Sequence, residues 1–104
     1  MKYSELNERE KKAYTNMKWA INDYTGLWEN ALENEEEGSG EWNKAYEALN
    51  NRELMKETIY QMGTTTLCRN GCQWNDERLV KDIRLCGKEW LMEVIEQLMV
   101  KEGY

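Results

Sequence analysis

The chain of 104 residues contains no proline, no phenylalanine and no histidine. Without proline, no helix has to be interrupted by a ring that removes a backbone donor. Without phenylalanine, the aromatic residues are five tryptophans and six tyrosines, whose polar groups must reach a partner or water. This length is typical of one domain with its own hydrophobic core. We therefore predict a single all-α domain over residues 1–104.

The chain also lacks an uninterrupted apolar run near the roughly 20 residues that a membrane-spanning helix needs. Its first residues, MKYSELNEREKK, lack the apolar core of a secretory signal. Three cysteines, an odd number, fit reduced thiols better than a disulfide framework. These features lead us to expect a cytoplasmic protein that makes no contact with membranes.

The absence of histidine limits metal binding. Cys68 and Cys72 are four residues apart around a predicted turn, and Cys86 follows in the next predicted helix. A zinc site on these thiols would need a fourth ligand, such as Asp76 or Asp82, water or a group from a partner. The spacing differs from the C-x-x-C pairs of zinc ribbons. We favour the interpretation that Cys86 is a small core residue and the other two are thiols near a turn.

The sequence also lacks an arrangement typical of catalysis. A cysteine nucleophile would have no histidine as its base, and Arg69 beside Cys68 can only lower the thiol pKa. Ser4 and Ser39 are the only serines. No glycine-rich segment has the spacing of a phosphate-binding loop. We expect that the protein is not an enzyme and uses no cofactor.

Hydrophobic periodicity predicts the first three helices. The first is long and runs from Ser4 to about Asn34, with apolar residues recurring at helical spacing. A short helix follows from Glu41 to about Leu49, after a flexible loop at residues 38–40. The next helix begins at Asn51, weakens at Gly63 and the threonines after it, and stops at residues 69–71.

The C-terminal run from Asn75 to Glu102 is predicted to form one long helix. Its residues at three- and four-residue steps form a core face: Leu79, Val80, Ile83, Cys86, Trp90, Leu91, Val94 and Leu98. A narrow second seam of Leu85, Met92 and Met99 lies nearly opposite. Either this helix passes through the middle of the domain, or the seam meets a second copy or another protein. The fold expected is a compact bundle of three to four helices with long first and last helices.

Charge is distributed unevenly along the chain. The net charge is −6, yet residues 19–43 contain seven acidic residues and no lysine or arginine, which leaves +1 for the remainder. Acidic side chains interleaved with tryptophans can bind a basic groove of another protein, although they can equally serve solubility. The predicted partner-binding residues are Trp28, Glu29, Glu33, Glu35, Glu36, Glu37, Glu41 and Trp42.

Two further surfaces remain open as interpretations. Trp19 and Gly26 share the outer face of the first helix. Either they form a knob and a docking site for a second copy, or Trp19 simply lies over the stems of neighbouring lysines, which is the commoner arrangement. The cations Arg69, Arg78, Lys81, Arg84 and Lys88 cluster near the last helix. Acidic residues interrupt that cluster, so direct nucleic-acid binding is not expected.

The stretch LNEREKKAYTNMKWAINDYTGLWEN, from Leu6 to Asn30, resembles small uncharacterised proteins of bacteriophages and mobile elements in Gram-positive hosts. It covers about a quarter of the chain. Short acidic proteins of that kind are similar to anti-CRISPR and other anti-defence inhibitors, which bind a host effector and perform no catalysis. The resemblance implies an inhibitor in the cytoplasm of a bacterial host and assigns no functional residue.

The sequence thus leads to three hypotheses. The first is an acidic helical binding protein that covers a basic nucleic-acid-binding surface of a host protein. The second is a homo-oligomeric structural or regulatory protein, joined through Trp19 and Gly26 or through the seam of Leu85, Met92 and Met99. The third is a zinc-binding module that uses Cys68, Cys72 and Cys86.

Overall fold

The computed structural model describes residues 2–65 and 76–104. In order, they form a short 3-10 helix, Tyr3–Glu5, and five α-helices: α1, Glu8–Asn34; α2, Gly40–Asn50; α3, Arg52–Gly63; α4, Glu77–Arg84; and α5, Lys88–Lys101. This part of the chain contains no β-strand. The prediction of an all-α domain with a long first helix is confirmed. The predicted number of three to four helices is too low, because the last helix is divided.

Helix α1 begins at Glu8, later than the predicted start at Ser4. A capping box explains this position. The Asn7 side chain accepts a hydrogen bond from the Glu10 amide at 2.8 Å, and the Glu10 carboxylate accepts one from the Asn7 amide at 3.0 Å. Ser4 instead lies within the 3-10 turn. The predicted end at Asn34 is confirmed.

Helix α1 is the central element of the bundle and packs against each of the other four α-helices. Its inner face carries buried residues that meet buried residues of α3 and α5 in one core: Ala13, Met17, Ala20, Ile21, Tyr24, Met55, Ile59, Leu91, Val94, Ile95 and Leu98. Asn16 on the same face donates to the Gly63 carbonyl at 2.7 Å. The core is therefore organised around the first helix, with α5 as one of its neighbours.

The close approach of α1 and α3 explains the glycine at the end of α3. A Cβ added to Gly63 would lie 2.5 Å from Met17 Cε and 2.6 Å from Met17 Sδ, far inside normal contact distance. Glycine destabilises the end of the helix slightly, but its missing side chain allows the two backbones to approach closely. Its backbone oxygen is at the same time the acceptor for Asn16.

The prediction of one continuous C-terminal helix is wrong. The chain leaves the helical path between α4 and α5, and Gly87 adopts a φ of +88°, a conformation that side chains with a Cβ rarely adopt. Cys86 and Gly87 donate backbone hydrogen bonds to Ile83 and Arg84, at 3.0 and 3.1 Å. Asp76 caps α4 through a hydrogen bond from the Arg78 amide at 2.7 Å.

The predicted core face of this run is largely retained despite the break. Val80, Ile83, Leu91, Val94 and Leu98 are buried, whereas the other three residues of the face pack partly buried against the core: Leu79, Cys86 and Trp90. The predicted stop at residues 69–71, the thiols Cys68 and Cys72, and the cation Arg69 lie outside the described residues.

Candidate functional site

The predicted acidic surface lies where α1 ends and α2 begins. We call its carboxylates from Glu33 to Glu41 the acidic end: Glu33, Glu35, Glu36, Glu37 and Glu41. All are exposed, as is Glu29 one turn earlier in α1. Within residues 2–65 and 76–104, Glu41 is the only one of them with an ion pair, to Lys44 of the same helix at 3.9 Å. The other carboxylates have no ion pair with a cation of the described ranges.

The link between the two helices, where a loop is predicted at residues 38–40, is a hydrogen-bonded turn. The Ser39 amide donates to the Glu36 carbonyl at 3.0 Å, and Gly38 adopts a φ of +89°. The Ser39 hydroxyl then caps α2 by accepting from the Trp42 amide at 3.2 Å. The Asn43 side chain donates back to the Gly38 carbonyl at 3.3 Å. The glutamates are thus attached to a hydrogen-bonded backbone.

The same geometry accounts for an electrostatic conflict in the sequence. Carboxylates at the C-terminal end of α1 face the negative end of that helix dipole, which is unfavourable by a few tenths of a kcal/mol each. Because α2 begins directly afterwards, Glu36, Glu37 and Glu41 also lie near its positive end. The second dipole therefore offsets part of the repulsion.

Aromatic side chains accompany the carboxylates. The rings of Trp42 and Tyr46 stack at 5.3 Å with planes inclined by 18°, and Tyr46 is 52% exposed. Trp28 is partly buried and packs its edge against Tyr24 at 6.4 Å. Tyr46 was missed in the sequence analysis, although its four-residue separation from Trp42 places the two on one side of a helix. The acidic end therefore combines exposed carboxylates with a partly exposed aromatic pair.

The two surfaces suggested for a second copy differ in the structure. Trp19 is 63% exposed, and no atom lies within 4 Å of a Cβ built on exposed Gly26. The seam of Leu85, Met92 and Met99, in contrast, does not exist as one surface. Leu85 is 66% exposed but Met99 is 1% exposed, because the break at Gly87 changes the helical phase between them.

Of the cysteines, the structure describes only Cys86. Its thiol is partly buried and lies 3.9 Å from the Asp82 carbonyl. Burial raises the pKa of this thiol, and the nearby Glu10 carboxylate raises it further, so thiolate chemistry is disfavoured there. No group of three potential metal ligands occurs in residues 2–65 and 76–104. The zinc hypothesis rests on Cys68 and Cys72, which lie outside them.

Two of the predicted basic residues take part in holding the fold together. Arg84 donates to the Thr64 carbonyl at 2.7 Å. Lys88 lies 3.2 Å from the Glu57 carboxylate and 5.0 Å from the centre of the Tyr60 ring. Arg78 and Lys81 are exposed. The described cations therefore do not act as one free basic surface.

These features define the molecule as a small helical bundle whose most distinctive surface is acidic and aromatic. None of the helices in the described part is both long and apolar enough to cross a membrane. No family model, curated protein or solved structure matches the chain. Any function must accordingly be argued from its own residues.

Proposed function

We propose that this protein is a non-enzymatic binding protein whose acidic end covers a basic, nucleic-acid-binding surface of another protein. The observation that carries the proposal is the set of exposed carboxylates at the junction of α1 and α2, of which only Glu41 has an ion pair within the described residues, followed in α2 by the Trp42–Tyr46 pair. In a bacterial host this activity would make the protein an anti-defence inhibitor, as the resemblance of residues 6–30 implies. The partner would be a host effector whose nucleic-acid site is blocked.

The charges of the acidic end would affect both the rate of association and the choice of partner. Like charges gathered on one surface raise the local potential and steer a partner of opposite charge during approach. Because Glu35, Glu36 and Glu37 extend from a hydrogen-bonded turn, little backbone order has to be gained on binding. A surface of this kind resembles the spaced phosphates for which a basic groove is built.

The aromatic pair supplies the apolar part of the contact. Tyrosine and tryptophan bury a large area at low cost in side-chain entropy, and both are enriched at the centres of protein interfaces. Stacking against Trp42 holds the Tyr46 ring in place before a partner arrives. An interface of this kind would take its polar part from the carboxylates and its apolar part from the two rings.

The proposal can be tested by capture from a nuclease-treated bacterial lysate. The wild-type protein is compared with the triple variant Glu35→Lys, Glu36→Lys and Glu37→Lys. The matched control carries the same charge change on two exposed residues of α5 and on the residue that follows it: Glu89→Lys, Glu93→Lys and Glu102→Lys. We expect the acidic-end variant alone to lose its partner, with affinity reduced about tenfold or more at low salt.

A second arm tests the kind of site that is covered. Duplex DNA added to the captured complex should release the partner, because both ligands would occupy one basic surface. Equal capture by the acidic-end variant and by the control would refute a role for these glutamates. A partner that stays bound at saturating DNA, while still requiring the glutamates, would retain the binding surface but refute competition with nucleic acid.

A further inference from the structure

The outer face of α1 carries four residues at strict seven-residue steps: Lys12, Trp19, Gly26 and Glu33. All four are exposed, on the side of the helix opposite its buried residues. Seven residues complete two helical turns with a drift of about 20°, and three such steps amount to about 60°, so the four residues form one slowly turning row on the outer face. We call this row the outer stripe of α1.

The outer stripe is complementary to itself when reversed. Its ends carry opposite charges, on Lys12 and Glu33. Its middle carries the largest side chain and the smallest, Trp19, which is 63% exposed, and Gly26, which has open space above its backbone. A two-fold axis between residues 22 and 23 would place each residue opposite its complement. Residues opposite one another then have numbers that sum to 45.

We propose that the outer stripe binds a second copy of this chain, with the two α1 helices antiparallel. In this dimer Trp19 of each copy packs over Gly26 of the other, and Lys12 of each copy pairs with Glu33 of the other. Both contacts occur twice, as an isologous interface requires. Around the axis, the Asn22 amide of one copy can donate to the Asp23 carboxylate of the other.

Electrostatics selects the antiparallel arrangement over the parallel one. In a parallel pair in register, Lys12 would face Lys12, Glu33 would face Glu33, and the two Trp19 rings would collide. In the antiparallel pair both charged contacts are attractive. Lys12 also lies 3.7 Å from Asp82 of its own chain, which holds the ammonium group near the helix surface but leaves its side chain 54% exposed.

Glycine at position 26 allows the two helices to approach closely. Within a helix, glycine is less favourable than alanine by about 1 kcal/mol, and a close contact with another helix would offset this loss. Nothing in the described part of the chain occupies the space that Gly26 leaves, in contrast to Gly63, which Met17 contacts. A tryptophan from a second copy accounts both for this open space and for the exposure of Trp19.

The test is sedimentation equilibrium over a range reaching millimolar protein. Wild-type protein should dimerise, and Trp19→Ala and Gly26→Leu should each weaken the dimer about tenfold or more. Leu85→Ala is the control, because it removes an equally exposed apolar side chain, 66% exposed, away from the stripe. Circular dichroism and urea denaturation establish that each variant remains folded.

Charge reversal tests the register. Lys12→Glu places like charges opposite Glu33 at both ends, and Glu33→Lys does the same opposite Lys12, so each variant alone should dimerise about tenfold more weakly. A mixture of the two variants restores attraction at both ends and should form heterodimers with wild-type affinity. Effects confined to one chain cannot produce this recovery.

The outcomes separate this proposal from partner binding through the acidic end. A monomer at millimolar concentration overturns the dimer, as does a dimer unaffected by Gly26→Leu. Variants that fail to recover on mixing overturn the antiparallel register. Lys12→Glu lies outside the acidic end and should leave partner capture intact, whereas the triple variant at residues 35–37 should leave the dimer intact.

Discussion

At the scale of single residues, Tyr24 is the polar side chain that fixes α2 on α1. Its ring is 2% exposed, and its hydroxyl donates to the Ala48 carbonyl at 2.8 Å. Burial raises the pKa of Tyr24 to about 12, since the phenolate would lose its hydration. The fold is therefore stabilised by the hydrogen bond to Ala48 and favours the protonated form of the Tyr24 hydroxyl.

Tyr24→Phe should lower the free energy of unfolding by about 1 kcal/mol, because the hydrogen bond to Ala48 is lost while the ring stays. Because the folded-state pKa is raised, the contribution is complete below pH 10.0 and is lost as the pH rises through about 12. Urea denaturation across this range measures both effects. Identical alkaline declines in Tyr24→Phe and wild type would contradict this assignment.

Two glycines in helices should respond oppositely to alanine. Gly63→Ala places a methyl group against Met17, so we expect destabilisation of about 1 kcal/mol after the small gain in helix propensity. Gly26→Ala meets nothing and should stabilise the monomer by about 0.5–1 kcal/mol. Urea denaturation at low protein concentration measures both, and a gain in stability for Gly63→Ala would contradict the close packing of α1 and α3.

At the scale of elements, the break between α4 and α5 depends on the backbone of Gly87. No atom would obstruct a Cβ there, but the φ of +88° is unfavourable for any residue with one. Gly87→Ala and Gly87→Asn should each cost about 1–3 kcal/mol in unfolding free energy, because a φ of +88° with a ψ of 141° lies outside the left-handed helical region that asparagine tolerates. Equal stability of all three proteins would argue for a continuous helix.

Helices α3 and α5 are joined by charged side chains at the surface. Arg52 Nε donates to both carboxylate oxygens of Glu96 at 3.0 Å, and Lys56 lies 3.6 Å from the same carboxylate. The hydrogen bond from Arg52 is the main cause that lowers the pKa of Glu96 below its ordinary value of 4.5. Lys88 acts in the same direction on Glu57.

The ion pairs at Glu96 and Glu57 predict that the free energy of unfolding falls at acidic pH. Because the folded-state pKa of Glu96 is lowered, its contribution to stability is present above pH 4.5 and is lost as the pH falls through the folded value. Arg52→Gln should raise the pKa of Glu96 toward 4.5 and flatten the acid decline. Carboxyl NMR titration of Glu96 measures the shift, and an unchanged pKa in Arg52→Gln would exclude the arginine as its cause.

At the scale of the whole molecule, charge is separated along α1, and we expect this separation to affect encounters with other molecules. Residues 8–18 hold four cations, and residues 19–43 hold none. Surface fields decay over about 10 Å at 0.1 M salt, so steering through the acidic end should depend strongly on ionic strength. The proposed dimer, in which an apolar contact between Trp19 and Gly26 would lie at the centre, should depend on ionic strength less.

The salt dependence of steering through the acidic end is a further prediction. Binding of the wild-type protein to an immobilised arginine-rich peptide should associate more slowly as salt rises, while its dissociation rate changes little. Replacing Glu35, Glu36 and Glu37 by glutamine should remove most of that salt dependence. Biolayer interferometry at several salt concentrations measures both rates, and salt effects confined to dissociation would contradict steering.

The sequence by itself determined the fold class, the extent of the first helix to Asn34 and most buried positions, because apolar residues at helical spacing leave few other ways to form a core. It also placed the glutamates together, since they are neighbours in the chain. The sequence predicted the positions of helix caps less well. Asn7 and Glu10 cap the start of α1, whereas Ser4 had been expected to cap it.

Only the tertiary structure decided the rest. The predicted long last helix failed because its pattern of apolar residues persists through Gly87, and spacing alone does not report a positive φ. The approach of Gly63 to Met17, the burial of Met99 and the openness above Gly26 depend on which helix faces residues distant in sequence. Packing between helices is a property of pairs of surfaces, and a single helical pattern describes only one member of each pair.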